Sequence, residues 1–293
     1  MKRVLTGIIL VITICLLVLI ISDSFFIKER KKIETVEKTE EKVKEEIIKD
    51  VNLKEDLEQK INFLSNFNYC EIKSNQKYYN GCLYSKNKIT ASELSSKYKI
   101  YSLVLANKPQ DQLEEEKQIN EEIYLINAKL EESKIKELYQ KLYGELDTYN
   151  PTFINELKNV FPVILYNEGE FYFINSEQEN VLDNEVVTYI NKYTTKEDKA
   201  YVYISTAFVK MIKDGNDKIV NYEVYSDYNM TNLKEEGLYS EYRKEIKNED
   251  GSVSVITAFK INKENYKNYN QYRFTFQKNE SGNYYFEKIE LIK

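Results

Sequence analysis

The sequence predicts an α+β protein. It has an N-terminal transmembrane helix, a charged helical stalk, and a body of short helices and antiparallel β-sheet whose C-terminal part is mostly a β meander. Three observations predict this. Val4–Ser22 is a run of 19 residues without a charge. Residues 133–143 carry apolar side chains at helical spacing, and residues 196–293 alternate apolar and polar almost throughout.

The uncharged run, VLTGIILVITICLLVLIIS, spans roughly 28 Å at ~1.5 Å per residue, close to a bilayer's hydrocarbon core. Lys2 and Arg3 precede it and Asp23 ends it. No small-residue cleavage site follows, and Cys15 sits in mid-run behind Ile14. An uncleaved, single-pass signal anchor in the cell membrane is therefore expected, with the bilayer as a permanent partner. Lys28, Arg30, Lys31 and Lys32 just beyond the run favour a cytoplasmic body. The start-proximal anchor and the cysteine pair described below favour an extracytoplasmic one, which is the expectation adopted.

Residues 23–60 form the expected stalk. Positions 28–60 hold 10 bases and 11 acids and no Gly or Pro, as a solvated helix or an unstructured spacer would. A heptad frame fits in part. Ile33, Ile47, Ile61, Val36, Val43, Leu57 and Leu64 fall on the seam, interrupted by Glu40, Asp50 and Lys54. A homodimer through this stalk is one reading, and a single spacer helix is the other.

Residues 61–195 read as an α+β domain. Cys70 and Cys82 bracket an 11-residue loop, and the third cysteine lies inside the apolar run. In an oxidising compartment the pair would close a disulfide contributing ~2–3 kcal/mol; otherwise both are small buried thiols. Thr90 and Glu93 form a capping box, so a helix is expected over 91–97. KIYSLVLANK then continues it or forms a strand. Residues 114–120 read as a polar loop and 121–130 as a strand. Ile135, Leu138, Tyr139 and Leu142 make the clearest helical stripe, with Gly144 as its stop. A second short helix is expected over 152–160. Pro162 then opens a hairpin that turns at Asn167-Glu168-Gly169.

Residues 196–293 read as an antiparallel β domain of about five strands. These are 200–212, 219–226, the run SVSVITAFKI, QYRFTFQK and NYYFEKIELI. Asp214-Gly215-Asn216-Asp217 is a hairpin turn. It lacks the later glutamate of a calcium loop. Residues 228–248 are expected to be helical or irregular.

Composition narrows the chemistry. The chain has no His, which removes Ser–His–Asp and Cys–His machinery and His-bearing zinc sites. Its net charge is −6, with both signs interspersed, so no nucleic-acid footprint exists. Phosphate-loop glycine spacing is absent. No cofactor or metal site and no catalytic residue is expected. The leading expectation is a non-enzymatic anchored protein that presents an interaction or scaffold domain to an envelope protein. The alternatives are a ligand-binding or sensory domain with a Tyr-lined pocket, for which the 26 Tyr residues provide material, and a carboxylate-based hydrolase.

The short basic start, apolar span, Lys/Glu stalk and Tyr-rich body ending in GNYYFEKIELIK resemble single-span surface proteins of low-GC Gram-positive bacteria. A helix pair followed by a curved antiparallel sheet, over roughly residues 131–293, is similar to the nuclear-transport-factor-2-like fold. Membrane-anchored members of that fold serve as scaffold subunits of conjugation and secretion machines, so the resemblance implies a scaffold role.

Overall fold

A computed structural model describes residues 45–66, 70–72, 75–77, 81–109, 114–119, 121–144, 146–157, 160, 162–174, 184–216, 218–247, 253–257 and 259–293. The expected anchor and stalk residues 23–44 lie outside them. Among the described residues no helix is long and apolar enough to cross a membrane. Glu45–Lys293 forms one compact α+β unit.

The first residues of this unit overlap the expected stalk. Glu46–Ile47 is a short strand, β1, followed by helix α1 (Val51–Ser65). Asp50 caps the helix, its Oδ1 accepting from the Leu53 amide at 3.2 Å. Leu57, Ile61 and Leu64 are fully buried in the chain's own core. The i, i+4, i+7 stripe that resembles a coiled-coil seam is the inner face of an amphipathic helix. Those three side chains are thus covered without a second chain, while Ile47 stays 68% exposed.

Strands β2 (Cys70–Ile72) and β3 (Asn75–Lys77) form a ribbon. β4 (Lys88–Thr90) leads into a single 3₁₀ turn, Ala91–Glu93. The capping box forms, with the Thr90 amide donating to Glu93 at 2.8 Å. It closes only that turn. The longer helix α2 (Ser96–Ala106) starts afresh and takes up KIYSLVLA.

β5 (Glu115–Ile119) occupies the stretch expected to be a loop. It is a polar strand at the edge of a four-stranded sheet with β6 (Glu122–Glu131), β7 (Ile164–Asn167) and β8 (Glu170–Ile174), in the order β5-β6-β8-β7. Helix α3 (Glu132–Tyr143) buries Ile135, Tyr139 and Leu142, as its stripe predicts. The expected helix at 152–160 is a 3₁₀ segment, Pro151–Glu156.

The main sheet runs β1-β9-β10-β15-β16-β4, all antiparallel. It uses β9 (Asn184–Lys196), β10 (Lys199–Lys213), β15 (Asn270–Lys278) and β16 (Tyr284–Leu291). The expected domain boundary at 195/196 falls inside β9, and β4 from the first region pairs with β16 from the second. β9 follows one edge of β10. The other edge is shared by β15, along Lys199–Thr206, and by β11 (Ile219–Tyr225), along Phe208–Lys213.

This sharing explains the unbroken apolar run in β10. Ala200, Val202, Ile204 and Phe208 face the main core with α1, α2 and α3. Ala207, Val209 and Met211 point the other way, into a second core with Tyr222, Val224 and Tyr242. A strand covered on both faces loses its polar alternation. Residues expected to be helical or irregular supply β12 (Leu233–Leu238), the one-turn helix α4 (Tyr239–Tyr242) and β13 (Arg243–Lys247). β13 pairs with β14 (Val253–Thr257) in a separate ribbon.

Candidate functional site

Helix α2 is apolar on most of its surface, with Tyr98, Ile100, Tyr101, Leu103 and Val104 all buried. Of its two lysines, Lys97 stays partly exposed and Lys99 lands inside the protein. Lys99 is 6% exposed. Its ammonium sits 4.8 Å from the ring centroid of Tyr143 and 6.0 Å from that of Tyr139. No carboxylate or hydrogen-bond acceptor meets it among the described residues. Burial pulls its pKa down to about 8.

Lys60 provides the internal comparison. It is equally buried. Its ammonium donates to Asp56 at 2.6 Å and to the Tyr284 carbonyl. Burial lowers its pKa too, against the opposing pull of Asp56. A buried ammonium is costly unless it is paired and hydrogen-bonded. Lys60 meets that condition. Lys99 has only two aromatic faces, worth about 0.5–2 kcal/mol.

Lys99, Tyr139 and Tyr143 line a half-open cavity of about 440 Å³. Its other walls are the 3₁₀ turn after β4, the turn after α3 and the start of β16. The Tyr139 hydroxyl is paired with Thr148 Oγ1 at 2.8 Å. Tyr143 is buried, and its hydroxyl has no hydrogen-bond partner among the described residues. Burial, with Tyr139 beside it, pushes its pKa well up, so it stays a neutral donor. Glu287 at the rim is held by Lys199, whose ammonium reaches its two oxygens at 2.9 and 2.7 Å. Asp147 also lies on the wall.

Gly144 positions one wall. Its φ of +86° ends α3, and its amide donates to Gln140 at 2.9 Å. A Cβ at this position would come within 3.0 Å of the Tyr285 ring. The tyrosine packs close against the bare backbone and lines the cavity.

A charged ladder covers part of the main sheet. Glu45 accepts from Tyr203 and from Thr194, and Lys192 and Arg273 lie within 3.9 Å of it. Arg273 also donates to its cross-strand neighbour Glu290 through Nε at 2.8 Å. Every charge in this ladder has a partner of opposite sign, so it fastens the first residue of the body to β9, β10 and β15.

Cys82 is fully buried on a 3₁₀ turn, Cys82–Tyr84, and is held in a disulfide. Cys70 opens β2, and its side chain lies outside the described ones. Asp214 closes the β10–β11 turn by accepting from the amides of Asn216 and Lys218 at 2.9 and 3.0 Å. No cluster of three or more metal-ligating side chains exists among the described residues.

Sequence reasoning singled out Tyr139 only as part of a helical stripe, and it did not single out Lys99, Tyr143 or Tyr285. One signal was present: a lysine inside SKYKIYSLVLA, whose neighbours are apolar on nearly every side. Compared with family models, curated proteins and solved structures, the chain matches none of them.

Proposed function

We propose that the chain is a single-pass membrane protein whose extracytoplasmic body binds a small ligand in the Tyr-lined cavity beside Lys99. The carrying observation is the buried ammonium without an anionic partner, set in the wall of a cavity with aromatic sides. Such a group costs stability and is retained where a ligand uses it. The 19-residue apolar run supports the anchor. A Cys70–Cys82 disulfide is proposed because Cys82 is disulfide-bonded and Cys70 is the other cysteine outside that run. Disulfides persist outside the cytoplasm, which supports the outward orientation.

Filling the cavity tests the binding reading. Ligand binding raises the melting temperature by mass action. Small-molecule additives that stabilise the full-length protein should leave Ala91→Trp unmoved, because Ala91 lines the cavity. Equal stabilisation of both proteins contradicts the reading. Orientation is tested with Gly215→Cys, at an exposed turn with open space around it. A membrane-impermeant maleimide should label it in intact cells; labelling only after lysis places the body inside.

A second reading, contact with an envelope protein, is favoured by one feature. Ile123 and Leu125 are 70% and 43% exposed on one face of β6. Crosslinking to a partner that Ile123→Lys abolishes would support it, and crosslinking unaffected by that change would count against it.

A further inference from the structure

Two neighbouring groups in the cavity have no hydrogen-bond or ionic partner among the described residues, and both are hydrogen-bond donors. Lys99 is a buried residue, 6% exposed, whose ammonium borders the cavity. Tyr143 presents a buried hydroxyl. The Tyr139 hydroxyl is already taken by Thr148, and Glu287 by Lys199. Tyr139 and Tyr285 are among the lining residues. A group that completes this arrangement accepts hydrogen bonds, carries negative charge, and is attached to an apolar or aromatic body.

We propose that the ligand of this cavity is a small organic carboxylate, its two oxygens met by Lys99 and Tyr143 and its apolar body lying against the tyrosine rings. The proposal rests on the ligand-binding reading above and specifies its chemistry. A carboxylate fits better than a phosphoryl group because Lys99 is the one cation of the wall among the described residues and Asp147 stands nearby. Phosphate sites gather several cations or backbone amides at a long helix N-terminus. A singly charged ligand is neutralised by one buried ammonium, and the low local dielectric strengthens that pair. The depressed pKa of Lys99 agrees with this role, since binding would restore the charged amine.

The test uses two probes of nearly equal shape, phenylacetate and phenylacetamide, with the full-length protein in detergent and isothermal titration calorimetry. Phenylacetate should bind at least about tenfold more tightly than the amide. Lys99→Met should lose about thirtyfold or more of the phenylacetate affinity, as expected for truncating one partner of a buried charge pair, and most of the discrimination. Tyr143→Phe should weaken the acid and leave the melting temperature nearly unchanged. Equal binding of acid and amide in both proteins overturns the carboxylate proposal and leaves the ligand-binding reading standing. Phenyl phosphate binding as tightly as phenylacetate also overturns it. Absence of binding by all three probes contradicts both.

Discussion

The hydroxyl of Tyr203 lies 2.8 and 2.9 Å from the two carboxylate oxygens of Glu45. This contact joins the first residue of the body to strand β10. Burial would raise the pKa of Glu45. The bonds from Tyr203 and Thr194 and the charges of Lys192 and Arg273 outweigh it, and the net shift is downward. A carboxylate held below its unfolded value stabilises the fold at pH above the unfolded pKa. That contribution is lost as pH falls through the folded one.

Glu45→Gln should therefore cost about 1 kcal/mol at pH 7 and less at pH 4, below the unfolded value of 4.5, where the unfolded carboxyl takes up protons before the folded one. Urea unfolding at the two pH values checks this. An equal loss at both would contradict the charge assignment.

Lys99→Met should stabilise the protein. The folded pKa of Lys99 is about 8 against 10.5 for the free side chain. Depression of a lysine penalises the fold fully below the folded value, and the penalty fades as pH rises toward the unfolded one. Removing it at pH 7 is worth about 3 kcal/mol as an upper figure. The advantage should shrink between pH 8 and 10. Tyr139, Tyr143, Tyr285, Asp147 and Glu287 face the same cavity and are unchanged by the substitution. Destabilisation by Lys99→Met would mean the ammonium has a partner in the folded chain.

Gly144→Ala should destabilise by about 1–3 kcal/mol. The residue needs φ of +86°, and its new methyl would press on the Tyr285 ring at 3.0 Å. Because that ring is a cavity wall, ligand affinity should fall with stability. Thermal melts with and without phenylacetate separate the two effects.

Leu57→Ala should cost about 2–5 kcal/mol through a cavity in the core. A seam residue of a dimer would instead make the loss depend on protein concentration. Chemical unfolding at two concentrations distinguishes the cases, and the account predicts no dependence.

Much of the sheet and one helix were legible because local pattern and tertiary environment agree. The stripe Ile135, Leu138, Tyr139, Leu142 and the stop at Gly144 produce α3 as read. Glu168 and Gly169 both adopt positive φ, 50° and 86°, which makes the tight hairpin their sequence implies. β5 was hidden because EEKQI has one hydrogen-bonded neighbour and little to bury, so its polarity reads as loop. α1 was misplaced because Leu57, Ile61 and Leu64 suit a heptad seam and an inward helix face equally well. The site was the least visible part. The setting of Lys99 depends on residues outside α2, most of them distant in sequence: 90–92, Tyr139, Tyr143, Asp147, Thr148 and 285–287.

The most direct measurement is the titration of Lys99 itself, followed by NMR of ¹³C-methylated lysines in the full-length protein and assigned through Lys99→Met. Lys99 should titrate near pH 8, displaced upward by about one unit or more when phenylacetate binds and unmoved by phenylacetamide. A Lys99 signal that titrates near 10.5 and ignores both compounds would contradict that expectation.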